Sequence, residues 1–396
     1  MAADPAASSS RPSGLLFPDW VLLDTVGRHM TRRREDAAAT AAVSATSTGV
    51  PIEISFAVAA PPALTRCFVH CPELTPADFL QMPPCITGAD GAFLLRVILL
   101  PSPAQRPVLI LRPYPTDLTS NHVGVLHVSG EHCIIIVLRG RTLHIFSTET
   151  MSWSTKAARD TAARHVPFKF RPGKVLAVDG GRSLAWVDLR RGILLCDSVA
   201  GDDDDPELRM IRVPPLTPIN SVEFGVDSDG MTPPLDGIRD VAYRDGFFRV
   251  IELGFPELDA GGNTGRYDFK WTTSVFKSKV GSENWEVETC RSVDSTKLLL
   301  DRSCLRCLIP EIWEEREKRL VMNNVISIFP TLDPHRDDVF YMVTRMQGLD
   351  LNGWVTAVNA DSKKLEKIEP FSVEWIRCSR TILQCAFSKH FKQGPR

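Results

Sequence analysis

Apolar and polar positions alternate along most of the chain from Val50 onward. Ile52, Ile54, Phe56 and Val58 are separated by smaller or polar residues, the two-residue period of a half-buried strand. Pro61-Pro62 ends that run, and "LTRCFVHC" begins the next. Further apolar runs include "AFLLRVILL", "VGVLHV", "CIIIVLR", "TLHIFST", "LAWVDL", "ILLCDSV" and "DVFYMVTR". The connectors carry turn chemistry: Ser129-Gly130-Glu131, Arg139-Gly140-Arg141, Asp179-Gly180-Gly181 and Asp245-Gly246.

Several of these runs are apolar on both faces. Between Leu184 and Leu189, the even positions give Leu184 and Trp186, the odd ones Ala185, Val187 and Leu189. Parallel strands buried on two sides need crossover helices. Here the intervals are short or rich in proline, of which there are 29. The one convincing helical stretch is "PEIWEEREKRLVM" at 310–322, and Met30 to Thr48 reads as a surface loop. The expectation is an all-β, β-propeller-like fold of about six antiparallel blades with one short helix near 310–322.

Three segments share an outline of strand, turn and second strand: 143–158, 274–290 and 354–371. Each reads as the outer hairpin of a blade. The chain then divides into a disordered tail (1–14), a single propeller-like domain (15–390) and a flexible end (391–396).

In residues 184 to 198, a three-residue link ends at Gly192, the class of hairpin that places a left-handed residue there. Asp188 is then expected to accept from turn amides or to pair with Arg190 or Arg191, Trp186 to pack between blades, and Cys196 to be an inert core thiol. This stretch, "SLAWVDLRRGILLCDSV", followed by "PELRMIRVPP", resembles the signature of the plant domain-of-unknown-function family sixteen-eighteen, over about 184–327. "STGVPIEISFAVAAPPALTRCFVHCP", "PEIW", "VISIFPTLDPHRDDVFYMV" and "WVTAVNADSKKLEKIEPF" extend the resemblance through most of 15–390. It implies plant origin and a propeller-like body, and it brings no catalytic residues. The acidic insertion Asp202-Asp203-Asp204-Asp205 departs from the pattern by lengthening a loop. The body is also similar to the kelch-like propellers attached to F-boxes. "LLFPDWVLLDTV" resembles an F-box opening, but the leucine-rich continuation is replaced by an Arg/Ala/Thr stretch.

A formal net charge of -2 gives no basic footprint for nucleic acid. No apolar run approaches the roughly 20 residues that span a bilayer, and the first residues lack the features of a secretory signal. The ten cysteines are scattered in a chain large enough not to need staples, so they are read as reduced. A cytoplasmic or nuclear monomer is expected, with Arg32-Arg33-Arg34 as a weak nuclear signal.

Chemistry-bearing motifs are sparse. Cys304 and Cys307 form a lone pair where structural zinc needs four ligands. Alternation divides Cys67, His70 and Cys71 between strand faces, and His122, His127, His132 and His144 read as surface or core residues. No nucleophile elbow, zincin helix or phosphate loop occurs. No metal and no cofactor are expected. The reading is a non-catalytic protein–protein interaction scaffold, with Asp202, Asp203, Asp204 and Asp205 as the contact for a basic protein partner. The alternatives are a propeller hydrolase or oxidoreductase with channel-mouth carboxylates, and a ubiquitin-ligase substrate receptor.

Overall fold

In the computed structural model, described residues are 17–30, 32–33, 40–45, 50–72, 85–89, 92–96, 123–129, 132–160, 170–197, 199, 206–224, 233–256, 269–282, 284–301, 304, 312–317, 319–348, 350–372, 382–386 and 388. They form five sheets of four or more strands, each a blade of a β-propeller. Blade I is assembled from both ends of the chain. Its inner strand is Ile382–Cys385, followed outward by Val21–Asp24, Leu64–His70, Pro51–Ala57 and Ala42–Ala45, with Arg28–Met30 also on Leu64–His70. Blade II runs from Val123–Ser129 through His132–Arg139 and Thr142–Ser147 to Ser152–Ala157.

Blade III comprises Lys174–Val178, Ser183–Asp188, Gly192–Asp197 and Glu207–Ile211. Blade IV comprises Arg239–Arg244, Phe247–Gly254, Thr272–Lys279 and Glu286–Val287. Blade V comprises Ile326–Leu332, Val339–Arg345, Asn352–Asn359 and Lys364–Ser372. A two-residue strand lies parallel to the outer strand of blade III (Arg159–Asp160) and of blade V (Leu299–Leu300). The three outlines read from sequence are the outer hairpins of blades II, IV and V.

The two-faced apolar runs now have their physical cause. Leu184, Trp186, Leu194 and Cys196 of blade III pack toward blade II, in a cluster with Ile136 and Leu143. Ala185, Val187, Ile193 and Leu195 pack toward blade IV, with Val241, Phe248 and Val250. Alternate side chains of one strand therefore serve two blade interfaces, and all of Ser183–Asp188 is buried. Blades IV and V meet through Trp271, Phe340 and Met342, and blades V and I through Val343, Val355, Leu22 and Ile382.

Two expectations are corrected. Where the helix was expected, Trp313–Glu314 pairs antiparallel with Arg319–Leu320, and the helix is Pro218–Glu223, the single α-helix among the described residues. Helical propensity in "EEREKR" gives way because this pairing sends Ile312, Leu320 and Met322 into the core between blades IV and V. Within 30–48, Ala42–Ala45 is an edge strand of blade I, and Val43 faces outward. About six blades were expected and five are described; a separate two-stranded ladder joins Cys85–Ala89 to Ala92–Arg96. The N-terminal tail (1–14) and the C-terminal end (391–396) lie outside the described residues.

Candidate functional site at the channel mouth

Among the described residues the inner strands of blades III, IV and I each pair on one side only, so their other edges face the propeller axis. A recess of about 370 Å³ opens there. Consecutive residues line it: Lys174 to Ala177, Ala242 to Asp245, and Leu383 to Ala386. Side chains of a strand alternate, so an unbroken run of lining residues means that the backbone edge itself forms the wall.

The floor is a buried polar cluster. Lys174 Nζ donates to Asp240 Oδ1 (3.1 Å), the Val241 carbonyl (2.9 Å) and Gln384 Oε1 (2.6 Å). The second oxygen of Asp240 accepts from the Leu332 amide at 3.1 Å, and Gln384 Nε2 donates to the Leu332 carbonyl. Blades III, IV, V and I are thus tied across the axis. Lys174 spends its three N–H bonds and Asp240 both oxygens, so burial of the ion pair is compensated. An ammonium held this way is neither a nucleophile nor a general base.

The rim is built from turns. Asp179-Gly180 and Asp245-Gly246 both have positive φ at each central residue, the mirror-image turn that suits a tight hairpin. Tyr243 donates to Asp179 Oδ1 at 2.5 Å; burial first, then that carboxylate, pushes its phenol pKa up. In blade V, Asp333 accepts from the His335 and Arg336 amides and from Tyr341 Oη at 2.7 Å, which sets the turn carrying His335. Trp20 packs edge-on against Tyr341 and tilted over His335, with ring centroids 5.7 and 6.1 Å apart.

Arg244 donates through Nε to Asp245 and through Nη1 to Asp337 and the His335 carbonyl. Asp337 also receives Arg249 at 2.9 Å and Arg291 at 3.8 Å. Among the described residues, Arg244 Nη2, the His335 imidazole nitrogens and the Trp20 indole N–H have no hydrogen-bond partner. Arg244 Nη2 and the Trp20 indole are donors, the His335 imidazole can donate or accept, and all three sit at the rim rather than the floor, beside the exposed Asp245 carboxylate.

The residues singled out in the sequence lie elsewhere. Asp202, Asp203, Asp204 and Asp205 are outside the described residues, as are Cys307 and His122. Asp188 accepts from the Arg190 and Arg191 amides (3.0 Å each) and the Arg171 amide (2.8 Å), and pairs with Arg191, which is a turn-stabilising role. Cys67 and Cys71 sit in the blade I core with Cys385, and Cys304 Sγ donates to the Glu366 carbonyl. Among the described residues no three His, Cys, Asp or Glu side chains converge as metal ligands. No helix among them is long and apolar enough to cross a membrane.

Sequence reading missed Lys174, Asp240, Gln384, Trp20, Tyr243, Arg244 and His335. A signal existed for three of them: Lys174 opens "KVLAV", Asp240 "DVAY", and Gln384 interrupts "ILQCAF". A polar residue inside an inner strand must find a buried partner.

Solved structures with similarity to the chain include a nidogen/laminin complex, at 9% identity over 87% of this chain and 96% of that one, with a TM-score of 0.27. Dihydro-heme d1 dehydrogenase NirN aligns at 9% identity over 89% and 69%, with a TM-score of 0.26. The Trypanosoma rangeli sialidase aligns at 9% identity over 91% and 54%, with a TM-score of 0.26. None of the curated proteins matches the chain. The signature resemblance is met directly: residues 186–341, from the second strand of blade III to the second strand of blade V, match the model of the family described as "Protein of unknown function (DUF1618)".

Proposed function

We propose that this protein is a non-catalytic protein–protein interaction scaffold that receives a segment of its partner at the channel mouth. One observation carries the reading. The floor's ionisable groups are consumed by one another, while Arg244 Nη2, the His335 imidazole and the Trp20 indole, without hydrogen-bond partners among the described residues, surround an open recess. Tryptophan and arginine at the edge of a rigid concavity are the residue types that dominate binding energy at interfaces. The strand edges add main-chain hydrogen bonding for an incoming extended segment.

The test is affinity capture from cell extract, quantified by mass spectrometry, with the wild-type chain, Trp20→Ala, His335→Ala and a remote control, Val222→Ala. A reproducible set of partners should be retained by the control and depleted by both rim variants. Partners indifferent to the rim, or turnover of a substrate by the purified chain, would overturn the reading.

A further inference from the structure

We infer that the recess takes the carboxyl-terminal residue of the partner chain, its apolar side chain entering the cavity and its terminal carboxylate held on the rim by Arg244 and His335. This rests on the scaffold reading above and names the part of the partner that is recognised.

The first argument is the chemistry on offer. The walls are backbone edge, with Leu176, Ala177 and Leu383 as partly exposed aliphatic residues of the lining. They accept an apolar group. Arg244 and Asp245 are the charged groups of the rim lining. Asp245 is already paired with Arg244 Nε and, at 80% side-chain exposure, is largely screened by water. Among the described residues Arg244 Nη2 has no acceptor, and the indole of Trp20 and the imidazole of His335 add two more groups able to donate. The open Nη2 of Arg244 can take a further acceptor, and a guanidinium edge suits a carboxylate.

The second argument is how close the two features lie. An internal residue of a partner offers an apolar side chain or a carboxylate, not both. A carboxyl-terminal residue carries both on one Cα. The residue that lines the cavity, Arg244, is also the one with the unengaged amino group, so a single residue must satisfy both. The third argument is the floor. The Lys174–Asp240–Gln384 cluster ties four blades across the axis beneath the recess, so a chain is stopped there rather than threaded through. An end fits where a through-running segment does not. The residues preceding the terminus can then pair with the open edges of Lys174–Val178 or Ile382–Cys385.

The experiment uses the full chain and a library of fluorescent peptides ending in random tetrapeptides, each made as the free acid and as the C-terminal amide. N-acetyl amino acids serve as small-acid competitors. Free acids with an apolar last residue should be enriched, and amidation should weaken them by about tenfold or more, the scale of a charge-assisted hydrogen bond. Arg244→Gln should abolish the acid–amide difference, and Ala177→Phe should weaken both forms. Thermal melts establish that the variants fold; if Ala177→Phe does not, Arg244→Gln still decides the matter.

Equal binding of acid and amide overturns the terminal-carboxylate inference while leaving the scaffold reading intact. N-acetyl amino acids binding as tightly as the tetrapeptides overturn it in favour of a small-acid site. Failure of every peptide, alongside rim-dependent capture of whole proteins, overturns it too. If that capture also fails, both readings fall.

Discussion

Lys174 and Gln384 meet on the propeller axis, Nζ to Oε1 at 2.6 Å, across 210 positions of sequence. One opens the inner strand of blade III, and the other lies in the last strand of blade I, where Leu22 pairs opposite it. Since that blade joins the two ends of the chain, the side chain of Gln384 clamps the seam from within. Lys174 also makes the 3.1 Å ion pair with Asp240, with both side chains almost wholly buried.

Breaking the cluster from one side leaves a charge without compensation. Lys174→Met should lower the unfolding free energy by about 3–5 kcal/mol, because Asp240 stays buried and loses its cation. Lys174→Met with Asp240→Leu should recover a large part of that loss, although the Leu332 amide then lacks its acceptor. Urea titrations of the singles and the double give the coupling. Additive effects would show that the pair is not a unit.

Gly192 tests close packing of the blade. It stands opposite Asp188, with φ of 152°, away from the left-handed helical geometry expected from the turn. Glycine is required on two counts: L side chains rarely adopt that positive φ, and a Cβ would sit 2.5 Å from the Ile211 carbonyl oxygen and 2.9 Å from Met210 Sδ. Backbone of the paired outer strand cannot yield cheaply. Gly192→Ala should cost about 2–3 kcal/mol in a chemical melt, the range for overpacking. Gly180→Ala, with open space around its Cβ, should cost less despite its φ of 69°.

What was legible in the sequence was local. Two-faced apolar strands, the hairpin at Ser183–Asp197 and the turns at Asp179 and Asp245 follow from side-chain periodicity and turn chemistry, and each stands where it was read. The floor and rim were not legible because their parts come together from Trp20, Lys174, Asp240, His335 and Gln384. No spacing rule encodes that convergence. The pairing of Trp313–Glu314 with Arg319–Leu320 shows the opposite failure: a locally helical composition overridden by the core that Ile312 and Leu320 enter.

Glu252 organises a second buried ion pair. It meets Arg239 at 2.9 Å, both side chains at 1% exposure or less, and accepts from the Thr217 amide and hydroxyl and from Asn220 Nδ2. Arg239 in turn donates to the carbonyls of Leu189, Pro214 and Pro215, binding blade IV to the linker after blade III. Glu252→Leu should destabilise by about 3–5 kcal/mol, since the guanidinium remains buried. Hydrogen exchange should also show the Pro218–Glu223 helix opening before the rest of blade IV; uniform loosening would count against this role.

Stability should fall in alkaline solution. Burial, reinforced by Asp24, pushes the Cys67 thiol up to about 12 from its ordinary 9.0, and burial with Asp197 does the same to Cys196. Burial and then Asp333 push the Tyr341 phenol up as well. Above about pH 9 the unfolded chain releases thiol protons that the folded chain retains, so the free energy of unfolding falls with each unit of pH. The stabilising contribution is full below pH 9 and declines toward pH 12, at up to about 1.4 kcal/mol per unit for each thiol. Urea melts at pH 7, 9 and 10.5 should show the decline, and Cys67→Ala with Cys196→Ala should flatten it. Iodoacetamide at pH 8 should spare Cys67 and Cys196 in the native chain while labelling the exposed Cys290. Rapid labelling of the two buried thiols would show that blades I and III open far more readily than their packing implies.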